Sequence, residues 1–159
     1  AGSTFGMTTT ELYEQDFVAW TEKQARELRE LRANCWNSPL DLEHLAEEIE
    51  ELGRSQRHAC DSLLEQIIIH LRKLRCAKAE APRAHWANEI DQFRNELHRR
   101  PTATIRQHLE TNLDSHDQTA ASLTTRSLTR EEPDSKPDIP RACPWTLDDI
   151  LESDDPLAP

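Results

Sequence analysis

The sequence predicts an all-α protein, a bundle of four main helices with a short C-terminal helix or turn that docks back on it. Three observations support this fold class. The 159 residues include only three glycines, so the chain offers few of the tight turns that connect strands. No segment alternates Val, Ile or Thr with polar residues, as a half-buried strand would. Apolar residues instead recur at intervals of three and four, which is typical of packed amphipathic helices.

The first helix is predicted to begin after Thr8, because Thr8 and Glu11 have the spacing of a capping box. It is expected to end near Asn34, since Ser38-Pro39 favours an extended connection. Its apolar face carries Tyr13, Phe17, Trp20, Leu28 and Leu31.

The second helix is predicted to start at Asp41, a good N-cap, and to end near Lys78. Its apolar positions repeat every eleven residues, three turns of a nearly ideal helix, and Gly53 does not shift their phase. A glycine costs about 1 kcal/mol relative to alanine in a helix interior, which flanking leucines can outweigh. One continuous helix is therefore expected, with a break at Gly53 as the alternative. The apolar positions are Leu42, Leu45, Ile49, Leu52, Cys60, Leu63, Ile67, Leu71 and Leu74.

Two further helices are each predicted to open at a proline, which suits the first turn of a helix. The third starts at Pro82, and the fourth starts at Pro101 and continues to about Arg126. Their apolar faces carry Trp86, Ile90, Phe93 and Leu97 in the third helix and Ile105, Leu109, Leu113, Ala120 and Leu123 in the fourth.

The predicted organisation is one bundle followed by a linker and a docking segment. Residues 1–6, which precede Met7, are typical of a vector-derived leader and are left out of the fold argument. Residues 7–130 form the bundle. Residues 131–142 form a linker rich in proline and acids, and residues 143–159 dock back on the bundle, with a final "DDPLAP" that is expected to fray.

The docking segment has a helix-start signal of its own. Thr146 and Asp149 have the spacing of a capping box. The apolar anchors of the segment are Trp145, Leu147, Ile150 and Leu151.

The net charge of −11 disfavours nucleic-acid binding, because an acidic chain gains nothing from releasing phosphate counterions. Much of the charge lies in residues 131–159, which hold nine acids and two bases. The local exception is a basic cluster of Arg72, Lys73, Arg75 and Lys78.

The chain also lacks the marks of a membrane or secreted protein. No run of about 18 apolar residues and no signal peptide is present, so a cytoplasmic location is expected. The four cysteines are widely spaced, which favours reduced thiols over disulfides or a zinc site, and Cys60 is expected to be a core residue.

The acidic stretch "DLEHLAEEIEELGRS" (41–55) raises the question of a ligand site. His44, Glu48 and Glu51 fall on one flank of the predicted helix, where an imidazole and two carboxylates on successive turns can converge on a cation. The competing interpretation is a solvated flank whose acids favour the positive end of the helix dipole. Glu48, nearest the apolar boundary, is the residue whose burial would separate the two.

Three other polar residues are candidates for a site or a buried polar network. His70 falls on an apolar face, where it is either a hydrogen-bonded core residue or part of a ligand site. Asp16, one turn before Trp20, and Arg94, beside Phe93, are candidate partners for such buried polar groups.

Several segments resemble domain-of-unknown-function family 29. They are "LYEQDFVAW" (12–20), "LDLEHLAEEIEELGRSQ" (40–56), "IIIHLRKL" (67–74), Trp86 and "CPWTLDDIL" (143–151), in the same order as in the family. The resemblance implies a small all-helical bacterial protein and implies no mechanism. An amide residue is frequent in that family at the position of His44, which argues against a family-wide metal role for His44.

The sequence therefore favours a non-enzymatic protein-interaction or regulatory module with an unidentified protein partner, a second copy of the chain being one such partner. No residue is assigned as catalytic or as a metal ligand, and no cofactor is implied. The alternative is a metal- or small-ligand-binding bundle, a hydrolase among them, that uses the Glu and His side chains named above.

Overall fold

The computed structural model describes residues 6–34, 37–100 and 102–153. Within these ranges the chain is all helical, as predicted, and no described helix is long and apolar enough to cross a membrane. Five predictions fall outside the described residues: the leader at 1–5, Cys35, the helix start at Pro101, and the docking and fraying of 154–159. The helices are α1 (Thr9–Gln15), α2 (Phe17–Asn34), α3 (Leu42–Cys76), α4 (Arg83–His98), α5 (Ala103–Thr111), α6 (Leu113–Glu131) and α7 (Leu147–Glu152).

The chain divides into two compact units. Unit 1 comprises Ala1–Ala59 and Thr102–Arg106, and unit 2 comprises Cys60–Pro101 and Gln107–Pro159. Helix α3 runs from Leu42 to Cys76 without interruption, so the predicted continuous helix through Gly53 is confirmed and the alternative break is wrong.

In unit 1 the first predicted helix is divided into α1 and α2 at Asp16, so its prediction as one helix was wrong. The Thr8–Glu11 capping box of α1 is present, as predicted. The backbone of Asp16 leaves the helical region, and its side-chain Oδ1 accepts a hydrogen bond from the amide of Ala19 at 3.1 Å. Its Oδ2 accepts a second bond from the amide of Thr104 at 3.0 Å. One buried carboxylate thus caps two helix starts, which a sequence pattern cannot show.

The buried face of α3 in unit 1 differs from the prediction. Leu42 is buried, but the side chains of Leu45 and Leu52 are 41% and 55% exposed, so these two leucines do not centre the buried face. Ala46 and Gly53 are buried instead. Small residues allow α2 and α3 to approach closely, and this approach turns the leucines toward solvent.

In unit 2 the second half of α3 is the most buried segment. Its core side chains include Cys60, as predicted, and the described cysteines Cys60, Cys76 and Cys143 are free. The apolar faces predicted for the third helix and for the docking segment are also buried, except that Phe93 is only half-buried. The fully buried apolar side chains of this unit include Leu64, Ile67, Ile68, Leu71, Leu128 and Ile150.

The fourth predicted helix is divided at Asn112, and this is a second correction. The side-chain amide of Asn112 donates a hydrogen bond to the carbonyl of His108 at 2.8 Å. Side chains of this type compete with the helical backbone for hydrogen bonds, so they favour a helix end at such a position. Helix α6 then continues to Glu131, five residues beyond the predicted end.

The C-terminal segment of unit 2 docks on α4, and α7 has the predicted Thr146–Asp149 capping box. Arg94 donates hydrogen bonds to the carbonyls of Ile150 and Ser153 at 2.8 and 3.0 Å. The predicted basic cluster is not an open cationic patch, because Arg72 is buried against Asp117 and Lys73 pairs with Glu131 at 2.9 Å.

Candidate functional site

Three potential metal ligands from three helices of unit 2 converge on one another. They are Asp61 on α3, His108 on α5 and His116 on α6, here called the His–Asp cluster. The Nε2 atoms of His108 and His116 lie 2.8 and 3.1 Å from Oδ1 of Asp61. One donor atom from each residue lies within 4.8 Å of the other two. Among the described residues, no other group of three His, Cys, Asp or Glu side chains meets this criterion.

The break at Asn112 is what allows both histidines to reach the same carboxylate. In a straight helix, residues eight apart are separated by about 12 Å along the axis and about 80° around it. Two imidazoles so placed would point to different neighbours. Because α5 and α6 are separate helices, His108 and His116 both reach Asp61.

The remaining ring nitrogens of the cluster face polar side chains. Nδ1 of His116 lies 2.9 Å from Oε1 of Glu65, one turn after Asp61 on α3. Nδ1 of His108 lies 3.4 Å from the amide nitrogen of Asn112. Nε2 of His116 is buried and is not aligned for a hydrogen bond, although Asp61 is 3.1 Å away. The side chains of Asp61, His108 and His116 are 19%, 26% and 12% exposed, so the cluster borders solvent.

The residues that the sequence suggested as ligands occupy other places. His44 is exposed, and its Nδ1 lies 2.6 Å from Oδ2 of Asp41, whose hydrogen bond raises the pKa of His44. Glu48 is exposed, and this favours the solvated flank over the ligand site. Glu51 is exposed and pairs with Arg54. Within the described part of the chain, His44, Glu48 and Glu51 do not form a group with metal-ligand geometry.

His70 lies in unit 2 as a partly buried ring. Its Nδ1 donates a hydrogen bond to the carbonyl of Gln66 at 2.7 Å, and its ring meets the ring of Phe93 edge-on. Burial lowers the pKa of His70, although the bond to Gln66 and the nearby carboxylate of Glu89 oppose the shift. These contacts are those of a packed core histidine. The other two network candidates, Asp16 and Arg94, hold helix ends, as described above.

Unit 1 carries a second feature, an exposed apolar surface on α2 and α3. We call it the leucine face; it consists of Leu31, Leu45, Ile49 and Leu52. The three leucines are 46%, 41% and 55% exposed, and Ile49 is partly buried. Large apolar side chains grouped on a surface are typical of interaction sites, whereas single ones are ordinary.

The leucine face lies on the edge of the α2–α3 pair away from its ion pairs. Arg29 binds Glu50 through two hydrogen bonds, the longer 2.9 Å, and Arg32 pairs with Glu43. Leu45 follows Glu43 by two residues and is about 160° around α3 from it, while Leu31 is about 160° from Arg29 and about 100° from Arg32 around α2. The two edges of the helix pair are therefore chemically distinct, one ionic and one apolar.

Acidic side chains border the leucine face on α3. Asp41 precedes Leu45 by four residues, and Glu48 precedes Leu52 by four, so each acid lies about 40° from a leucine. Both acids are exposed. The surface therefore presents an apolar stripe with a negative border.

Sequence reasoning missed Asp61, Glu65, His108 and His116. One available signal was the one-turn spacing of Asp61 and Glu65, and another was a histidine on each side of Asn112. Neither signal is specific, because the ligands come from three helices whose packing brings them together.

Comparison with known proteins places the chain in a family. The sequence pattern described as "Domain of unknown function DUF29" matches residues 12–154. The chain is similar to a crystal structure described as an alpha-helical protein of unknown function from Rhodospirillum rubrum. The two share 30% identity with a TM-score of 0.79, over 89% of this chain and 90% of that one. No curated protein matches. The chain belongs to the DUF29 family.

Proposed function

We propose that the protein is a non-enzymatic protein-interaction module whose docking surface is the leucine face. The observation that carries this proposal is the exposure of Leu31, Leu45 and Leu52; helical spacing places Leu45 and Leu52 on one side of α3. Fully burying an exposed leucine side chain is worth about 1.5 to 3 kcal/mol, so covering the exposed half of each of these three is worth roughly half of that and favours a partner.

The charge around the leucine face indicates the partner's chemistry. A partner helix with its own apolar stripe and basic flanks would place cations against Glu48 and near Asp41, which already contacts His44. A second copy of the chain would instead add another acidic border and another net charge of −11. Complementary potentials favour association and like charges oppose it, so the proposed partner is a basic amphipathic helix.

Two synthetic peptides test this proposal on the full chain. Both form amphipathic helices with the same leucine stripe, but one has lysine flanks and the other has glutamate flanks. Calorimetric titration is expected to show binding of the lysine peptide, with an affinity that falls as salt is raised. The glutamate peptide is expected not to bind.

Matched variants separate docking on the leucine face from general attraction to an acidic protein. Replacing Leu45 and Leu52 by Ser is expected to weaken lysine-peptide binding by about three- to tenfold for each leucine. Leu123→Ser, at a 39% exposed leucine of unit 2, serves as the control and is expected to leave the affinity unchanged. Equal binding by both peptides, or no effect of the Leu45 and Leu52 changes, would contradict the proposal.

The oligomeric state distinguishes the proposed partner from a homodimer. If light scattering shows a wild-type dimer that the Leu45→Ser/Leu52→Ser variant converts to a monomer, the leucine face binds a second copy instead of a basic helix. A monomer that binds the lysine peptide supports the proposal as stated.

A second candidate function is metal or ligand binding by the helical bundle. The His–Asp cluster favours it, with ligands other than the ones that the sequence suggested. Its argument is independent of the leucine face and follows next.

A further inference from the structure

We propose that Asp61, His108 and His116 bind one divalent transition-metal ion, of which zinc is the simplest representative. The proposal concerns unit 2 alone and does not depend on the docking function proposed for unit 1. Nothing in the match to the DUF29 family assigns a metal to these residues.

The chemistry of the donor set indicates the class of metal. Two imidazole nitrogens and one carboxylate oxygen suit zinc, iron, cobalt or nickel, whereas magnesium and calcium prefer oxygen ligands throughout. The same ligand set, two His and one carboxylate, recurs in sites that leave further positions for water or substrate.

The distances need little adjustment to accept an ion. Ligands about 2.0 to 2.1 Å from a tetrahedral zinc ion lie about 3.3 Å from one another. The two Nε2 atoms lie 2.8 and 3.1 Å from Oδ1 of Asp61, so these two distances need to grow by only a few tenths of an ångström, and the histidine donor atoms lie within 4.8 Å of each other. Side chains can supply this movement without a change in the helices.

An outer contact orients His116 as metal-ligating histidines usually are, whereas Nδ1 of His108 faces the amide nitrogen of Asn112 at 3.4 Å. A ligating histidine commonly donates its second ring N–H to a carboxylate or a carbonyl, which fixes the tautomer and the ring plane. Oε1 of Glu65, 2.9 Å from Nδ1 of His116, is placed to accept such a bond. His116 would then present the lone pair of Nε2, the buried atom that has no aligned hydrogen-bond partner. Glu65 is therefore a positioning residue in this proposal.

The competing interpretation is that Asp61 simply accepts hydrogen bonds from two histidines. It accounts for the bond from His108 at 2.8 Å. It also accounts for the contact of Glu65 with Nδ1 of His116, but it leaves the buried Nε2 of His116 without an aligned hydrogen bond. Measurement of metal binding separates the two interpretations.

The test uses the full chain after treatment with a chelator and removal of the chelator. Titration with zinc chloride is expected to show one site per chain, and cobalt(II) is expected to develop the visible absorption of a low-symmetry nitrogen- and oxygen-ligated ion. Zinc is also expected to raise the Tm by several degrees, because an ion that binds only the folded state stabilises it. Magnesium chloride at the same concentration is expected to do neither.

Variants assign the ion to the cluster. His108→Gln and His116→Gln are each expected to abolish the stoichiometric site, and Glu65→Gln to weaken it about 10- to 100-fold. His44→Gln and His70→Gln are the controls and should retain it; circular dichroism verifies that each variant is folded.

Three results would overturn the proposal: no stoichiometric zinc site in the wild type, an unchanged site in a folded His108→Gln or His116→Gln variant, or loss of the site in His44→Gln. The wild-type titration decides the first without any variant, so a variant that fails to fold does not leave the proposal untested.

Discussion

Gly53 of α3 lies so close to Thr21 of α2 that a Cβ atom on residue 53 would be 2.2 Å from Thr21 Oγ1 and 3.2 Å from Thr21 Cβ. Thr21 is fully buried, and its hydroxyl donates a hydrogen bond to the carbonyl of Val18 at 2.7 Å. The glycine of the acidic stretch is therefore a contact residue for a neighbouring helix, and α3 continues through it without a break.

Gly53→Ala is expected to destabilise the protein although alanine is the better helix former. Overpacking costs about 1 to 3 kcal/mol, and the fully buried Thr21 puts this contact toward the upper end of that range, above the gain of about 1 kcal/mol in helix propensity. The measurement is the free energy of unfolding by urea. Thr21→Ala removes the hydroxyl that collides, so Gly53→Ala should cost less in a Thr21→Ala background. An equal cost in both backgrounds would show that the Thr21 hydroxyl is not the obstacle.

The local features of the fold could be predicted from the sequence, and the helix breaks could not. Both capping boxes and the continuity of α3 rest on residues within a few positions of each other. The breaks depend on particular side-chain bonds: Asp16 also accepts a bond from Thr104, 88 residues away. An apolar stripe continues in phase across such a position, so periodicity predicts a single helix.

The candidate sites were harder to predict because each depends on how helices pack. Leu45 and Leu52 have the spacing of core residues, yet Gly53 draws α2 to a different face of α3. The His–Asp cluster combines residues 47 and 8 positions apart in the chain, from three helices. Spacing within one helix pointed to His44, Glu48 and Glu51 instead, which lie in solvent.

His70 is expected to make stability fall on acidification. Burial lowers its pKa in the folded state below the ordinary value of about 6.5, with smaller lowering effects from Lys73 and His85. The unfolded chain therefore binds the proton more readily, so stability decreases as the pH falls below about 6.5 and until the folded-state pKa is reached. The measurement is the free energy of unfolding at neutral pH and at about pH 5 to 6, in the presence of a chelator. This free energy is expected to fall less on acidification in His70→Gln than in the wild type.

His44→Gln is a control for the His70 experiment, because it is expected to change the loss of stability on acidification in the opposite direction. The hydrogen bond to Asp41 raises the pKa of His44 in the folded state. The stability that His44 contributes is therefore fully present below its unfolded-state pKa and is lost as the pH rises through its folded-state pKa. Removing His44 should therefore make the loss of stability on acidification larger, not smaller. The same direction of change in both variants would contradict the assignment.

Arg94 is expected to hold α7 in place without controlling the stability of the whole protein. Its guanidinium donates to the carbonyls of Asp149, Ile150 and Ser153 at the end of α7, where the last carbonyls of a helix are short of helical partners; that of Asp149 also accepts a bond from the amide of Ser153. Hydrogen exchange in Arg94→Met should be faster across residues 147–153 than in the wild type. The control is Arg99→Met, at an exposed arginine directly after α4, the helix that carries Arg94. Equal exchange in both variants would contradict this role.

The buried pair of Arg72 and Asp117 is expected to be the most sensitive ionic contact of unit 2. Nη2 of Arg72 lies 2.7 Å from both carboxylate oxygens of Asp117, and Nη1 donates to the carbonyl of Pro140 at 3.0 Å. Arg72→Met leaves a buried carboxylate without its partner, and such losses cost about 3 to 5 kcal/mol in unfolding measurements.

Arg75→Met is a matched control for Arg72→Met, because both guanidinium groups lie 5.9 Å from the ring of Trp145 but Arg75 is exposed. An exposed change of this kind should alter stability by no more than about 0.5 kcal/mol. Adding Asp117→Leu to Arg72→Met removes the unpaired charge as well, so the double variant should be more stable than Arg72→Met alone. If it is less stable, the cost of Arg72→Met does not come from the isolated carboxylate, and the bonds to the linker carbonyls account for it instead.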